Sequence, residues 1–167
     1  MKYFLLTIKH KYFVFIAGLG LKVSLWRLFW HDFSKFSFCE LPHYNKQFFG
    51  KANDPKGFIK AWLHHQNNND HHWEYWIPRS GHNRCDPPYE NNEPIPMSEQ
   101  SIREMIADWL GASRAYGGKW PNSDKWDWLE KNLWKVWPNL HLETQLIIKN
   151  VFREIGFNSL LNKVLST

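Results

Sequence analysis

A compact, single-domain, all-α helical bundle is the fold class that the sequence predicts, on three observations. Apolar residues recur at helical spacing, most clearly Ile102, Met105, Ile106, Trp109 and Leu110 at i, i+3, i+4, i+7 and i+8. Helix punctuation brackets such segments, with Asp54-Pro55 and Ser98 as starts and Pro138 as a stop. No β-hairpin signature and no internal repeat interrupts them.

In chain order, residues 4–18 and 21–31 read as two apolar helices, separated or bent around Gly18 and Gly20. The stretch "YFVFIAGLGL" has the look of a signal-peptide core. Lys22 and Arg27 interrupt it well short of the ~18 clean apolar residues of a membrane span, and no small-x-small cleavage site follows, so it reads as buried helix. Ser37-Phe-Cys-Glu40 reads as a capping box for a helix to about Phe49, with a start that slips by a residue or two to place Pro42 in the first turns. Asp54-Pro55 opens a helix that runs through Phe58, Ala61, Trp62 and His65 into an Asn run. Five prolines across 77–96 predict a long irregular loop, about 77–97. Ser98 caps the helix of the Ile102 stripe, "SDKWDWLEKNLWKVW" supplies another, and "LETQLIIKNVFREIGF" the last, with a short amphipathic tail.

A length of 167 residues suffices for one domain with a real core, and an aromatic fraction of 17% excludes a disordered chain. The formal charge of +5 favours an anionic ligand slightly. It does not establish a nucleic-acid partner, because the basic residues form no dense run. Cys39 and Cys85 form no CxxC and no zinc-finger spacing, and read as reduced thiols of a cytoplasmic protein with no membrane anchor. Spacing alone leaves a disulfide between them open.

The adjacent His31-Asp32 is the sharpest local signal, since a neutral imidazole and a hard oxygen at a helix end can hold one divalent ion together. Phe29, Trp30 and Phe33 surround the pair with apolar surface, where a charge without a partner is costly. His10 lies about one helix upstream and Asp108 on the long helix downstream. The order His…His-Asp…Asp over separate helices is that of HD-type metal-dependent phosphohydrolases. Glu104 and Asp108 are four apart and share a helix side, about 100° from the apolar stripe; each is a ligand or a solvated carboxylate. Lys35 is a candidate for a substrate phosphate and Glu40 for the general base or a supporting carboxylate, with a surface lysine and a capping-box glutamate as the plain alternatives.

The segment "HHQNNNDHHWEYW", residues 64–76, holds four of the nine histidines. Helical neighbours point about 100° apart and extended neighbours point opposite ways, so adjacent histidines do not readily share one ion. The segment therefore reads as one wall of a site centred on His31-Asp32. One of His64 and His65 would face that site, and His72 with Glu74 would join from the turn beyond.

"HDFSKFSFCELPHYNKQFFG", "FIKAWLHHQNNNDHHWEYW", "MSEQSIREMIADWLGASRAYGG" and "LHLETQLIIKNVF" together resemble an uncharacterised family of phages and bacteria, the domain of unknown function 5662, from about His10 to Val151. The family's motif positions fall on His10, His31, Asp32, Lys35, Glu40, His64, His65, Asn69, His71, His72, Glu74, Glu104, Asp108 and Arg114. The resemblance implies no reaction. The further similarity to HD phosphohydrolases rests on ligand order and helical class; two-metal members of that group add histidines between the HD pair and the last Asp.

The function expected is hydrolysis of a phosphate ester, such as a nucleotide or signalling nucleotide, by an HD-like domain in the cytoplasm, the host's if the gene is a phage's. His10, His31, Asp32 and Asp108 would hold Mn, Fe, Zn, Co or Ni, and His64 or His65 with His72 a second ion or the phosphate. Glu40 or Glu74 would carry the proton, with Lys35 and Arg114 meeting phosphate charge. Trp62, Trp73, Tyr75 and Trp76 would stack a base, and Asn69, His71 and Glu104 would contact substrate. Two alternatives stay open: a nucleotide-sequestering protein without turnover, and a structural protein whose histidines form a buried hydrogen-bond network.

Overall fold

The computed structural model describes residues 2–50, 54–78 and 93–166, and among them the secondary structure is helical throughout. The first helix, α1 (Lys2–Gly20), is longer than the segment 4–18, and Gly20 is helical. It ends because Lys22 adopts a left-handed φ of 58° and the Val23 amide donates back to the Gly18 carbonyl. The second apolar segment makes helix only over α2 (Leu25–Trp30), where the Ser24 hydroxyl accepts from the Arg27 amide.

After α2 comes a single 3-10 turn, Phe33–Phe36, and then α3 (Leu41–Phe49) with Pro42 in its first turn. The expected capping box does not form. Glu40 is the N-cap residue, yet its carboxylate is fully buried and turned toward histidines of the next helix. Next, α4 (Pro55–Asn68) is capped by Asp54, whose carboxylate accepts from the Gly57 amide, and ends where the Asn run begins. A 3-10 turn at Trp73–Trp76 follows. The irregular loop expected over 77–97 lies largely outside the described residues, as does Cys85; residues 93–98 run without regular structure, and Cys39 is an exposed free thiol.

The long helix α5 (Glu99–Gly117) is the axis of the fold. Its Ile102, Met105, Ile106 and Trp109 pack with α6 (Asp127–Val136), α7 (Leu142–Glu154) and α8 (Asn158–Leu165) in the main core, which includes Leu129, Leu133, Ile148, Phe152 and Leu161. Arg103 pins α5 to α7 through two hydrogen bonds to Glu154, at 3.0 and 2.9 Å. On the other side α5 lies against α1, where a smaller core of Tyr3, Tyr44 and Ala61 joins α1, α3 and α4.

The N-terminal helix is not buried all round as expected. Tyr3, Thr7, His10, Val14 and Gly18 line its inner face, while Leu5 on the outer face is 64% exposed. Helices pack α1 from one side, and no described element covers the other. No described helix is long and apolar enough to cross a membrane.

Candidate metal centre

Five backbone segments converge where α1 meets α5. His10 comes from the inner face of α1, and Asp108 from the facing side of α5. His31 closes α2, and Asp32 adopts a left-handed φ of 56°, a conformation more accessible to Asp than to most residues. That reversal turns the carboxylate back into the protein. His65 comes from the last turns of α4, and His71 and His72 from the turn beyond the Asn run.

Asp32 is fully buried and sits between two groups of imidazoles. Its Oδ2 lies 3.1 Å from His10 Nε2 and 3.4 Å from His31 Nε2. The same two nitrogens lie 2.9 and 3.5 Å from Asp108 Oδ1. Asp32 Oδ1 faces the other way, 3.2 Å from His65 Nε2 and 3.5 Å from His71 Nε2, and His72 Nε2 is 2.9 Å from that of His65. Two four-residue groups result: His10, His31, Asp32 and Asp108, and Asp32, His65, His71 and His72. Within each, one ligand atom per residue lies within 4.8 Å of every other.

This donor set fits divalent transition metals. Bonds of ~2.0–2.1 Å at tetrahedral to octahedral angles put neighbouring ligand atoms ~2.9–3.4 Å apart, the range of most of these separations. His31 Nε2, His71 Nε2 and Asp32 Oδ1 are buried with no hydrogen-bond partner, which buried polar atoms otherwise rarely tolerate. Each aims into one of the groups.

Behind the ligand atoms stands a supporting carboxylate layer. Glu104 Oε1 lies 2.9 Å from His31 Nδ1 and 3.3 Å from His71 Nδ1, so one oxygen receives both rings and directs their Nε2 atoms inward. Its Oε2 accepts from Arg27 Nε at 2.6 Å, and Arg27 also pairs with Asp70 beside His71. Glu40 takes the corresponding place behind α4, 3.1 Å from His65 Nδ1 and 2.7 Å from His64 Nδ1. Asn69 donates to the Ser34 hydroxyl and to the His65 carbonyl, tying the Asn run to the 3-10 turn after Asp32.

The electrostatics follow from this crowding. Burial works against charge on His31 and is outweighed by Asp32, Asp108 and Glu104, which hold its pKa well above the usual value. Burial likewise opposes ionised Asp32, but His31, Lys35 and His65 keep its carboxyl well below the ordinary range. For Asp108 the desolvation is overcome by His10 and His31. At His72 burial and the neighbouring His71 and His65 all push the pKa down, favouring the neutral imidazole that binds metal.

The fold sorts the candidate residues. His10, His31, Asp32, Asp108, His65 and His72 converge. His64 stands outside both groups on Glu40, with 38% of its side chain exposed. His71, expected to contact substrate, joins the second group. The expectation that adjacent histidines point apart fails at His71-His72, because the chain there is a turn and the rings lie 4.4 Å apart, tilted by 40°. Lys35 is buried with its ammonium on Asp32 Oδ2. Glu74 has a buried carboxylate oxygen with no hydrogen-bond partner. Trp73 and Trp76 pack against the main core, and Trp76 Nε1 donates to the Asp70 carbonyl. Arg114 is not brought to the centre: it lies 4.7 Å above the Phe13 ring and donates to the Gly118 carbonyl at the end of α5.

A family model described as a family of unknown function, DUF5662, matches residues 1–154. The chain belongs to this family. Every residue of the centre lies within the matched region, as do α1 to α7. No curated protein and no solved structure matches the chain.

Two features escape sequence reading altogether. One is the sharing of Asp32, which depends on the left-handed turn after α2. The other is Tyr116, whose ring stacks on His10 at 5.7 Å and 6°. It stands directly before the Gly117-Gly118 helix end, a place that carries no signal of a role.

Proposed function

We propose that this member of the family is a metal-dependent phosphohydrolase of the HD type that acts on a phosphate ester. The observation that carries the reading is the pair of ligand groups joined through opposite oxygens of Asp32. The ligand order His10…His31-Asp32…Asp108 in a helical domain supports the HD likeness. His10, His31, Asp32 and Asp108 would hold one divalent transition-metal ion, and Asp32, His65, His71 and His72 a second.

Ions bound there supply Lewis acidity and positive charge toward phosphoryl oxygens, and lower the pKa of water. The chain's own residues do the rest. Glu104 and Glu40 fix the imidazole tautomers from behind. Lys35 adds a cation beside Asp32, where charge accumulates as the ester reacts. In the reaction a water oxygen bonds to phosphorus, the bond from phosphorus to the alcohol oxygen breaks with its electron pair, and a proton passes to that oxygen. Glu74, near His65 and His71 and with a buried carboxylate oxygen that has no hydrogen-bond partner, is the carboxyl group for that transfer; Glu40 is already committed to two imidazoles.

Metal analysis of untagged protein, followed by assay of phosphomono- and phosphodiesters with added Mn²⁺, Fe²⁺, Co²⁺, Ni²⁺ or Zn²⁺, tests the proposal. Up to two ions per chain and metal-dependent hydrolysis, releasing phosphate from a monoester or an alcohol from a diester, are expected, both lost in Asp32→Ala. A protein that binds no metal and melts unchanged with added Mn²⁺ or Zn²⁺ would be a structural hydrogen-bond network instead. Metal binding with an intact phosphate ester throughout would leave a sequestering protein.

A further inference from the structure

Beside the metal centre, along the last turns of α5 and under the chain that leads to α6, lies a cavity of about 360 Å³. That is within the range of small-molecule sites. Its inner wall begins at Ala112, one helical turn or about 6 Å along α5 from Asp108. Asp108 is itself the most open member of its group, with 15% of the side chain exposed. The cavity and the centre are neighbours on one helix.

The cavity's walls are aromatic, and each wall ring is backed by another ring. Tyr116 stacks on His10. Trp120 meets Phe13 edge to face at 5.6 Å and 87°, and the Arg114 guanidinium lies over the Phe13 ring at 4.7 Å. Trp128 leans on Trp109 at 4.8 Å. Rings held this way lose little freedom when a planar ligand enters, which is the condition for an efficient stacking platform. Tyr116 and Trp120 nonetheless remain 56% and 39% exposed, large apolar surfaces that no described residue covers. Lys119 and Lys125 add positive charge to the same lining.

We propose that this cavity is the subsite for a planar aromatic ring, and that the centre acts on a nucleoside monophosphate whose base enters among Tyr116, Trp120 and Trp128. The position of the phosphate rests on the phosphohydrolase reading; the ring subsite does not. Tyr116 joins the two, since one side of its ring touches a proposed metal ligand and the residue also lines the cavity. Arg114 acts as a positioning residue that holds Phe13 and, through it, Trp120. Of the residues expected to stack the base, Trp73 and Trp76 pack against the main core, Trp62 packs against the smaller one, and Tyr75 is 49% exposed; none of the four lines this cavity.

The test measures ring binding apart from metal chemistry. The five common nucleosides and their 5′-monophosphates are titrated into full-length protein, with and without chelator, and followed by tryptophan fluorescence and calorimetry. At least one base should bind saturably even as the nucleoside in chelator. Trp120→Ala should weaken that binding roughly tenfold, and Trp120→Phe should retain most of it. Lys119→Glu, checked for folding by circular dichroism, should weaken the monophosphate more than the nucleoside. Asp32→Ala should remove metal binding and leave nucleoside binding unchanged. With metal present, Trp120→Ala should raise KM for the monophosphate and not for glycerol phosphate. No saturable binding by any probe, or binding indifferent to both Trp120→Ala and Lys119→Glu, overturns the subsite. Loss of hydrolysis alone, with ring binding intact, overturns the phosphohydrolase reading instead.

Discussion

A Cβ built on Gly111 lies 2.6 Å from the backbone nitrogen of Val14. The two helices α1 and α5 therefore touch backbone to side-chain position at that point, and only glycine permits it. Val14 is one turn after His10, and Gly111 is three residues after Asp108. The contact sets the separation at which His10 Nε2 and Asp108 Oδ1 stand 2.9 Å apart.

Gly111→Ala should push α1 off α5 and cost about 1–3 kcal/mol of stability, the usual range for overpacking a tight contact. Metal affinity should fall at the His10 group before it falls at the His65 group. Denaturant melts and a metal titration of the same variant measure both effects; an unchanged titration would break the link between the helix contact and the centre.

His72→Ala and His10→Ala should each remove one ion and leave the other, since neither residue belongs to both groups. Asp32→Ala should remove both. Stoichiometry by elemental analysis separates the three variants.

Glu104→Gln keeps the volume of the side chain and removes the charge that receives His31 and His71. Loss of such a supporting carboxylate costs roughly 10–100-fold in metal affinity. The loss should appear at both groups, because Glu104 serves one histidine of each.

Lys22 holds a φ of 58° at the end of α1, where glycine carries no steric penalty. Lys22→Gly should raise stability by up to about 1 kcal/mol. Its metal stoichiometry should stay unchanged, and thermal melts read the gain.

Asp54 caps α4, and the Gly57 amide, aided by His43, lowers its carboxyl pKa below the ordinary 3.8. A lowered carboxyl pKa adds stability above the unfolded value, and that stability disappears as pH falls through the folded one. Asp54→Asn removes the charge while keeping an acceptor. The variant should melt below the native protein at neutral pH, with the gap closing below about pH 4.

Much of the fold was legible because periodicity and caps are local. The Ile102 stripe, the Ser98 cap and Asp54-Pro55 each fix an element from a few neighbouring residues. The capping box was misread because Glu40 had two local uses, and burial against His64 and His65 decided between them. The outer face of α1 was misread for a related reason: apolar residues all round a helix say nothing about how many sides the rest of the chain will cover. In the centre, residue types named the chemistry, but the allocation of histidines depended on the turn at 70–72 and on one backbone angle at Asp32. Neither has a local signature.

That angle has a thermodynamic consequence. With both oxygens of Asp32 turned to different partners, whatever draws electron density toward one side is felt at once on the other. If ions fill both groups, their occupancy is a linked equilibrium, in which filling one changes the affinity of the second by the same factor as the reverse. Through this one carboxylate, the loading of the centre would be a collective property and not a sum of two independent ones.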